Sequence, residues 1–337
     1  MNPPPRILVL PRPSLYRRLF CDSTDARLRA LGRVDFNADE RELSSVELAS
    51  RIADYDVIIT GWGSPRFTDP VLENASKLKL VVHSAGSIKF MFDERALDRG
   101  FAISTVAVAM APAVAEMNLL LVLMCLRGTH DLNRRMKSGE DWKAVKATGS
   151  GTELVGNRVG VIGAGFVGRQ FIQLLKGLNV QVQVFDPYLS GAVAAEMGVK
   201  KAPTLDELLV SSPIVCLHAP ATPETRHMIG KRELALLRDG AVFINTARSW
   251  LTDEDALLAE FKSGRIRGAL DVFDAEPLPA DHPFRKLDNV IVTPHIASAT
   301  RNCLHRQGSI TVDEIEHFLK GESPKYAVTK RQYSMMA

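Results

Sequence analysis

Arg158-Val159-Gly160-Val161-Ile162-Gly163-Ala164-Gly165-Phe166-Val167-Gly168 decides how the rest of the chain is read. The first five residues form a short, mostly apolar run of the kind a buried strand shows. The three glycines fall in a G-x-G-x-x-G pattern, and an apolar-faced helix is expected from about Val167 to Leu178. Strand, glycine turn and helix in that order make the start of a dinucleotide-binding βαβ unit. The first glycine supplies the tight turn, the second lets backbone approach a pyrophosphate, and the third lets helix pack on strand. The helix N-terminus then offers unpaired N–H groups to phosphate oxygens.

Outward from this turn the pattern repeats. Val180–Phe185, Ile214–Leu217, Ala241–Ile244, Gly268–Leu270 and Val290–Val292 read as further buried strands, separated by helix-length stretches. Upstream, Ile7–Leu10, Val57–Thr60 and Leu80–Val82 read the same way, with a helix over about Val46–Ala53. Alternating strands and helices mean parallel, doubly wound sheets. The chain of 337 residues is long enough for two cores. Residues 110–298 are assigned to a Rossmann-type dinucleotide domain, and residues 1–109 with 299–337 to a smaller flavodoxin-like substrate domain. The apolar helix opened by Pro112 is read as one crossing, the polar stretch Met136–Gly156 as a separator, and an amphipathic helix over Asp313–Lys320 as the return. A cleft is expected between the two domains.

Asp186 ends the second strand of the nucleotide unit, eighteen residues after Gly168. A carboxylate there accepts the adenosine ribose hydroxyls and repels a 2′-phosphate. Pro187 and Tyr188 follow it with no adjacent cation, so the cofactor is read as NAD rather than NADP.

Basic and acidic residues nearly cancel, 42 against 39, for a net charge of +3. That balance gives no argument for nucleic acid or an anionic membrane as partner. The densest basic group, Arg134-Arg135 with Lys137, is read as a solvated helix end. Four scattered cysteines, Cys21, Cys125, Cys216 and Cys303, suggest neither disulfide framework nor metal site, and a reducing compartment. The opening Met1-Asn2-Pro3-Pro4-Pro5-Arg6 does not read as a signal peptide. The apolar stretch Ala111–Leu126 contains Glu116 and Asn118 and is read as too short to span a bilayer. The expected setting is the cytoplasm.

Three chemically capable residues follow three successive strands: Arg248 after Asn245-Thr246-Ala247, Glu276 after Asp271-Val272-Phe273-Asp274-Ala275, and His295 after Thr293-Pro294. A cation for a carboxylate, an acid–base group and a carboxylate to orient it are what hydride transfer to a keto acid requires of a protein.

The set Asn245-Thr246-Ala247-Arg248, Asp271-Val272-Phe273 with Glu276-Pro277, and Thr293-Pro294-His295-Ile296-Ala297 resembles the D-isomer-specific 2-hydroxyacid dehydrogenases. Leu205-Asp206-Glu207-Leu208-Leu209, Leu217-His218-Ala219-Pro220 and Thr222-Pro223-Glu224-Thr225 agree in order and spacing. The likeness runs from about Ala111 to Ala299. It implies an NAD-dependent oxidoreductase acting on a small D-2-hydroxy acid or 2-keto acid, with glyoxylate and hydroxypyruvate among the plausible substrates. Arg248 would clamp the substrate's oxygens, His295 would serve as general acid and base, and Glu276 would orient the imidazole and raise its pKa. Gly163, Gly165, Phe166, Val167, Gly168, Asp186, Thr246, Ala247, Arg248, Asp271 and His295 would line the cofactor, Asp271 at the nicotinamide amide. A homodimer is implied, with the helix after Pro112 near its interface.

One stretch departs from that pattern. Family members commonly carry two close glycines followed by Asp-Asn where this chain reads Ser84-Ala85-Gly86-Ser87-Ile88-Lys89-Phe90. Ala85, Gly86 and Ser87 are the expected substrate-carboxylate turn. Lys89 is either an extra cation for an acidic substrate or a solvated side chain, and Trp62 either lines the same pocket or belongs to the core. Two further readings remain open on the sequence: a non-catalytic NAD-sensing regulator of the same fold, and a formate or phosphite dehydrogenase.

Overall fold

A computed structural model of the chain describes residues 3–149 and 151–336. Met1 and Asn2, Ser150 of the polar separator, and Ala337 lie outside the described residues. The chain divides into two compact units, Met1–Met110 with Ala299–Ala337, and Ala111–Ser298.

The first unit holds five parallel strands: β1 (Arg6–Val9), β2 (Arg33–Phe36), β3 (Val57–Thr60), β4 (Leu80–His83) and β5 (Ala102–Thr105). Their order is β2-β1-β3-β4-β5, the flavodoxin-like arrangement. The central strands are apolar throughout because both faces are covered. Leu8, Ile58 and Val81 point into one core, while Ile7, Ile59 and Val82 point into the other. The edge strands β2 and β5 carry no such run and were not apparent from sequence. Residues of β2 alternate with charge at its exposed rim, and β5 buries Ser104 and Thr105. The final long helix spans Arg301–Leu319, beginning twelve residues before the expected Asp313. Its first half turns Cys303, Gln307, Gly308 and Thr311 inward, residues that do not make an apolar stripe. Gly308 is required there, since a Cβ would stand 2.1 Å from the carbonyl oxygen of Leu19.

The second unit holds seven parallel strands: β6 (Arg158–Ile162), β7 (Gln181–Phe185), β8 (Lys200–Lys201), β9 (Ile214–Leu217), β10 (Val242–Asn245), β11 (Arg267–Leu270) and β12 (Val290–Val292). Their order, β12-β11-β10-β9-β6-β7-β8, is the Rossmann arrangement with one added edge strand. It reverses direction between β6 and β9. A crevice therefore opens outside the C-terminal ends of those two strands, where the glycine turn lies. The polar separator is not featureless: Thr129–Lys137 and Trp142–Thr148 are short helices. Arg134, Arg135 and Lys137 do occupy a helix end, where the first two pair with Asp131, and Arg135 also with Glu140.

The helix Ala111–Arg127 corrects one expectation. A 3-10 turn, Ala107–Met110, runs straight into it, giving 21 residues long and apolar enough by those two measures to cross a membrane. Pro112 stands in the first turn of the α-helix, as expected, where its missing N–H needs no partner; it is the length of the helical stretch that differs. One face, including Ala115, Leu121, Val122 and Cys125, is buried in the core shared with Phe171 and Ile172. Leu120 and Leu123 on the opposite face are exposed.

Candidate active site

The glycine turn is shaped by contacts that exclude a side chain. Gly163 sits at φ +95°, and a Cβ on it would come within 2.7 Å of the Ala219 nitrogen. Around Gly165, by contrast, no atom lies within 4 Å of where a Cβ would stand, so the backbone is bare. The helix Phe166–Lys176 begins at once, with Gly165, which has no side chain to cap it, as its N-cap. Bare backbone at a helix start suits a pyrophosphate. Asp186 is fixed at the end of β7: one carboxylate oxygen accepts the Ala164 N–H at 2.7 Å and the other the Tyr188 N–H at 2.8 Å. These residues fit a dinucleotide.

His218, just past β9, lies under this turn. Its ring meets Phe171 at 5.3 Å, and its Nε2 is buried with no partner among the described residues. Burial holds its pKa down at about 3, so the ring is neutral.

Arg248 follows β10 by three residues, held by an asparagine. Asn245 Oδ1 accepts the Ala247 N–H and Asn245 Nδ2 donates to the Arg248 carbonyl, both at 3.0 Å. The guanidinium donates to the Ala247 carbonyl at 2.7 Å. The side chain is exposed, yet the protein packed beside it lowers its pKa from the usual arginine value, while the charge of Glu276 acts in the opposite sense. Thr246 is buried beside it, and its hydroxyl oxygen accepts from Asn118 Nδ2 at 2.5 Å. Asn118 was not a sequence candidate, and one polar residue inside an apolar helix was its only signal.

Glu276 and His295 meet directly. His295 Nδ1 lies 2.7 Å from Glu276 Oε2, and Oε1 of the same carboxylate accepts the Phe273 N–H at 3.0 Å. A carboxylate only accepts, so Nδ1 carries the proton and Nε2 is left for a reacting oxygen. Both side chains remain over a third exposed.

The backbone that carries His295 is unusual. His295 has φ +53°, a left-handed conformation that costs a non-glycine residue about 1–2 kcal/mol. Asp271, at the end of β11 and fully buried, braces it. Its Oδ1 accepts from Thr293 Oγ1 at 2.6 Å and from the Ile296 N–H at 2.9 Å, and its Oδ2 accepts the Ala297 N–H at 2.9 Å. The sequence marked Asp271 only as a cofactor contact. In the structure its carboxylate spans both sides of the histidine.

Ala85, Gly86 and Ser87 lie in the first unit, just past β4, with Gly86 and Ser87 partly exposed. Lys89 is half-buried rather than freely solvated: its ammonium donates to the Met336 carbonyl at 2.6 Å and lies 5.9 Å from the Tyr333 ring centre. Trp62 is 43% exposed and so is not a core residue. His83 ends β4 as a buried ring, its Nδ1 2.9 Å from Thr60 Oγ1, and burial holds its pKa at about 3. Among the described residues no group of three or more His, Cys, Asp or Glu is placed to hold a metal ion.

Comparison with known proteins bears on this geometry. The family described as "D-isomer specific 2-hydroxyacid dehydrogenase, NAD binding domain" matches residues 119–297. The chain is 36% identical to a D-3-phosphoglycerate dehydrogenase of Methanocaldococcus jannaschii over 83% of its own length and 53% of that protein's. It thus spans about half the length of that relative. It is 32% identical to a glyoxylate reductase of Pyrococcus furiosus, covering 87% of this chain and 88% of that one. A crystal structure of a putative D-isomer specific 2-hydroxyacid dehydrogenase from Polaromonas sp. JS6 66 superimposes with a TM-score of 0.79 at 27% identity, over 97% of this chain and 100% of that one.

Proposed function

The chain belongs to the D-isomer-specific 2-hydroxyacid dehydrogenases, and on that premise we propose that it moves a hydride between NAD and a small D-2-hydroxy or 2-keto acid. The reading rests above all on the pair of Glu276 and His295, 2.7 Å apart on adjacent strand ends beside Arg248. Glyoxylate and hydroxypyruvate are the first substrates to expect, and the likeness to a glyoxylate reductase over most of both chains supports that size.

NADH, when bound, supplies the hydride to the keto carbon. Arg248 holds the substrate's carboxylate and carbonyl oxygens, a task that suits two parallel N–H groups. His295 gives the proton on Nε2 to the oxygen that becomes the hydroxyl, and takes it back in the reverse direction. Glu276 keeps the ring's orientation and tautomer by accepting from Nδ1. The turn Ala85, Gly86 and Ser87 of the first unit offers backbone N–H groups of the kind that bind a carboxylate. The neighbourhood of Asp186 selects NAD over NADP.

In this reading the protein works as a homodimer in the cytoplasm, with Leu120 and Leu123 of the helix Ala111–Arg127 covered by the second copy. Four free cysteines suit a reducing compartment. Light scattering decides the first point, expecting twice the mass of the chain.

The deciding experiment mixes the protein and NADH with glyoxylate, hydroxypyruvate, pyruvate, bulkier 2-keto acids and a phosphorylated hydroxypyruvate, following loss of NADH absorbance. Turnover of one or more unphosphorylated acids is expected. No turnover with any of them, with NADH still binding, would turn the reading towards a sensor.

A further inference from the structure

The turn that follows β4 is held at both ends, and the two anchors differ in kind. At its entry Ser84 is buried, its hydroxyl 2.8 Å from that of Thr311 and its N–H donating to the Thr60 carbonyl at 2.8 Å. At its exit Ile88, Met91 and Phe92 are wholly buried in the core. Only the middle, Gly86 and Ser87, together with Lys89 and Phe90, reaches the surface.

The exit is fastened by chain that arrives more than two hundred residues later. After the helix Arg301–Leu319, the chain runs along the open edge of β5. Ala327 pairs antiparallel with Ser104, and the Val328 N–H donates to the Ile103 carbonyl at 2.7 Å. Glu314, itself buried, accepts the N–H groups of Lys325 and Tyr326 at 3.1 and 2.9 Å, and the hydroxyl of Ser104. Covering an edge strand in this way satisfies its outward backbone groups. The chain then turns into a short helix, Lys330–Ser334, capped by Thr329 and Gln332.

From that helix two side-chain contacts reach the exit of the turn. Tyr333 donates its hydroxyl to the Phe92 carbonyl at 2.7 Å, and Lys89 donates to the Met336 carbonyl at 2.6 Å while lying beside the Tyr333 ring. Tyr333 and Met336 also pack against the core that holds Ile88 and Phe92. A charged donor on a carbonyl is among the stronger hydrogen bonds, and this one is partly screened from water.

We propose that the segment Thr329–Met336 is a strap that sets the substrate turn, with Lys89 and Tyr333 as positioning residues for the carboxylate-binding backbone of Ala85, Gly86 and Ser87. The substrate part of this inference rests on the proposed function. The strap itself does not. Lys89 acts through the turn and contributes its charge to the strap, so it does not serve as a second cation for an acidic substrate.

The test uses the full chain and three variants: Lys89→Met, which keeps the stem but removes the donor, Lys89→Arg, which keeps charge and donors, and Tyr333→Phe. Hydrogen–deuterium exchange reports the strap without reference to any substrate. Amides of residues 84–92 should exchange about tenfold faster in Lys89→Met and Tyr333→Phe, while those of β3 and β4 stay as in the wild type. KM for the best keto acid should rise about tenfold with kcat changed much less, and Lys89→Arg should recover most of it. NADH affinity, read by its fluorescence, should not move, because the glycine turn belongs to the other unit. Unaltered exchange at residues 84–92 in both variants would overturn the strap. Faster exchange with an unaltered KM would overturn the positioning role. A wild type that turns over none of the acids would overturn the proposed function and the substrate role with it, leaving exchange to decide the strap alone.

Discussion

Replacing Asp271 with Asn should cost the enzyme more than its conservative shape suggests. The carboxylate accepts three hydrogen bonds in a fully buried position, two on Oδ1 and one on Oδ2. An amide can keep the first two through its oxygen. Its NH2 then faces the Ala297 N–H, donor against donor. Losing one charge-assisted bond costs about 1.5–3 kcal/mol and stranding a buried N–H about 1–3 kcal/mol, so roughly 2.5–6 kcal/mol is at stake. The flipped amide does no better: the Thr293 hydroxyl can turn to accept from it, but the Ile296 N–H then faces a donor. The second unit spans Ala111–Ser298, which is 298 − 111 + 1 = 188 residues. For a domain of that size each kcal/mol moves Tm by about 2–4 °C, giving a fall of roughly 5–24 °C. The brace also offsets the left-handed backbone at His295. Without it the segment should relax and carry the imidazole off Glu276, lowering kcat about a hundredfold while KM changes less. Differential scanning fluorimetry of the protein without ligands and steady-state rates with NADH measure both effects. A variant melting within about 1 °C of the wild type with native kcat would refute the argument that Asp271 holds the catalytic histidine in place.

Arg248→Ala should lower kcat/KM by about a thousandfold or more, and Arg248→Lys should restore only part, because a point charge does not reproduce a two-pronged contact. NADH binding should survive both, and near-native turnover in Arg248→Ala would remove it as the anchor. The carboxylate of Asp186 should make NADPH about tenfold to a hundredfold worse than NADH in kcat/KM, and equal values for the two would reject that assignment. Stability should fall with acid beginning above the usual carboxylate range. His83 and His218 are held neutral with pKa values of about 3, against about 6.5 in the unfolded chain. The unfolded state therefore binds the extra protons, so stability is fully present above about pH 6.5 and is lost as pH falls towards 3, by up to ~1.4 kcal/mol per pH unit for each ring. Urea midpoints at pH 7.5, 6 and 5 should decrease in that order, and a flat series would contradict it.

Legibility in the sequence followed burial. β6 and β9 stand where their apolar runs lie, because strands covered on both faces are apolar along most of their length. β2 and β8 escaped notice since edge strands are half exposed and tolerate Arg33, Asp35 and Lys200. β5 escaped for a different reason. Its Ser104 is buried only because Glu314, distant in sequence, accepts its hydroxyl, and no local period encodes that pairing. At the site, Glu276 and His295 were legible as residue types after strands, and the structure brings them into contact. The brace from Asp271 and the placement of Lys89 against Met336 were not legible, because each depends on where a separate segment returns.

The discontinuity of the first unit also sets a clock. Its second core is completed by Leu304, Val312 and Ile315 from the helix Arg301–Leu319, and Gly308 seats that helix against Leu19. On the ribosome, the first 110 residues emerge without that helix, while the second unit has every residue it needs once Ser298 is out. Between residue 110 and the end of that helix at Leu319 lie 319 − 110 = 209 residues of synthesis. At about 5–20 residues per second that is roughly 10–42 s during which Ile7, Ile59 and Val82 present an unfinished apolar sheet face. The strands made before the second unit are thus finished after it, and the nascent chain has a window in which a chaperone that binds exposed strands would find it.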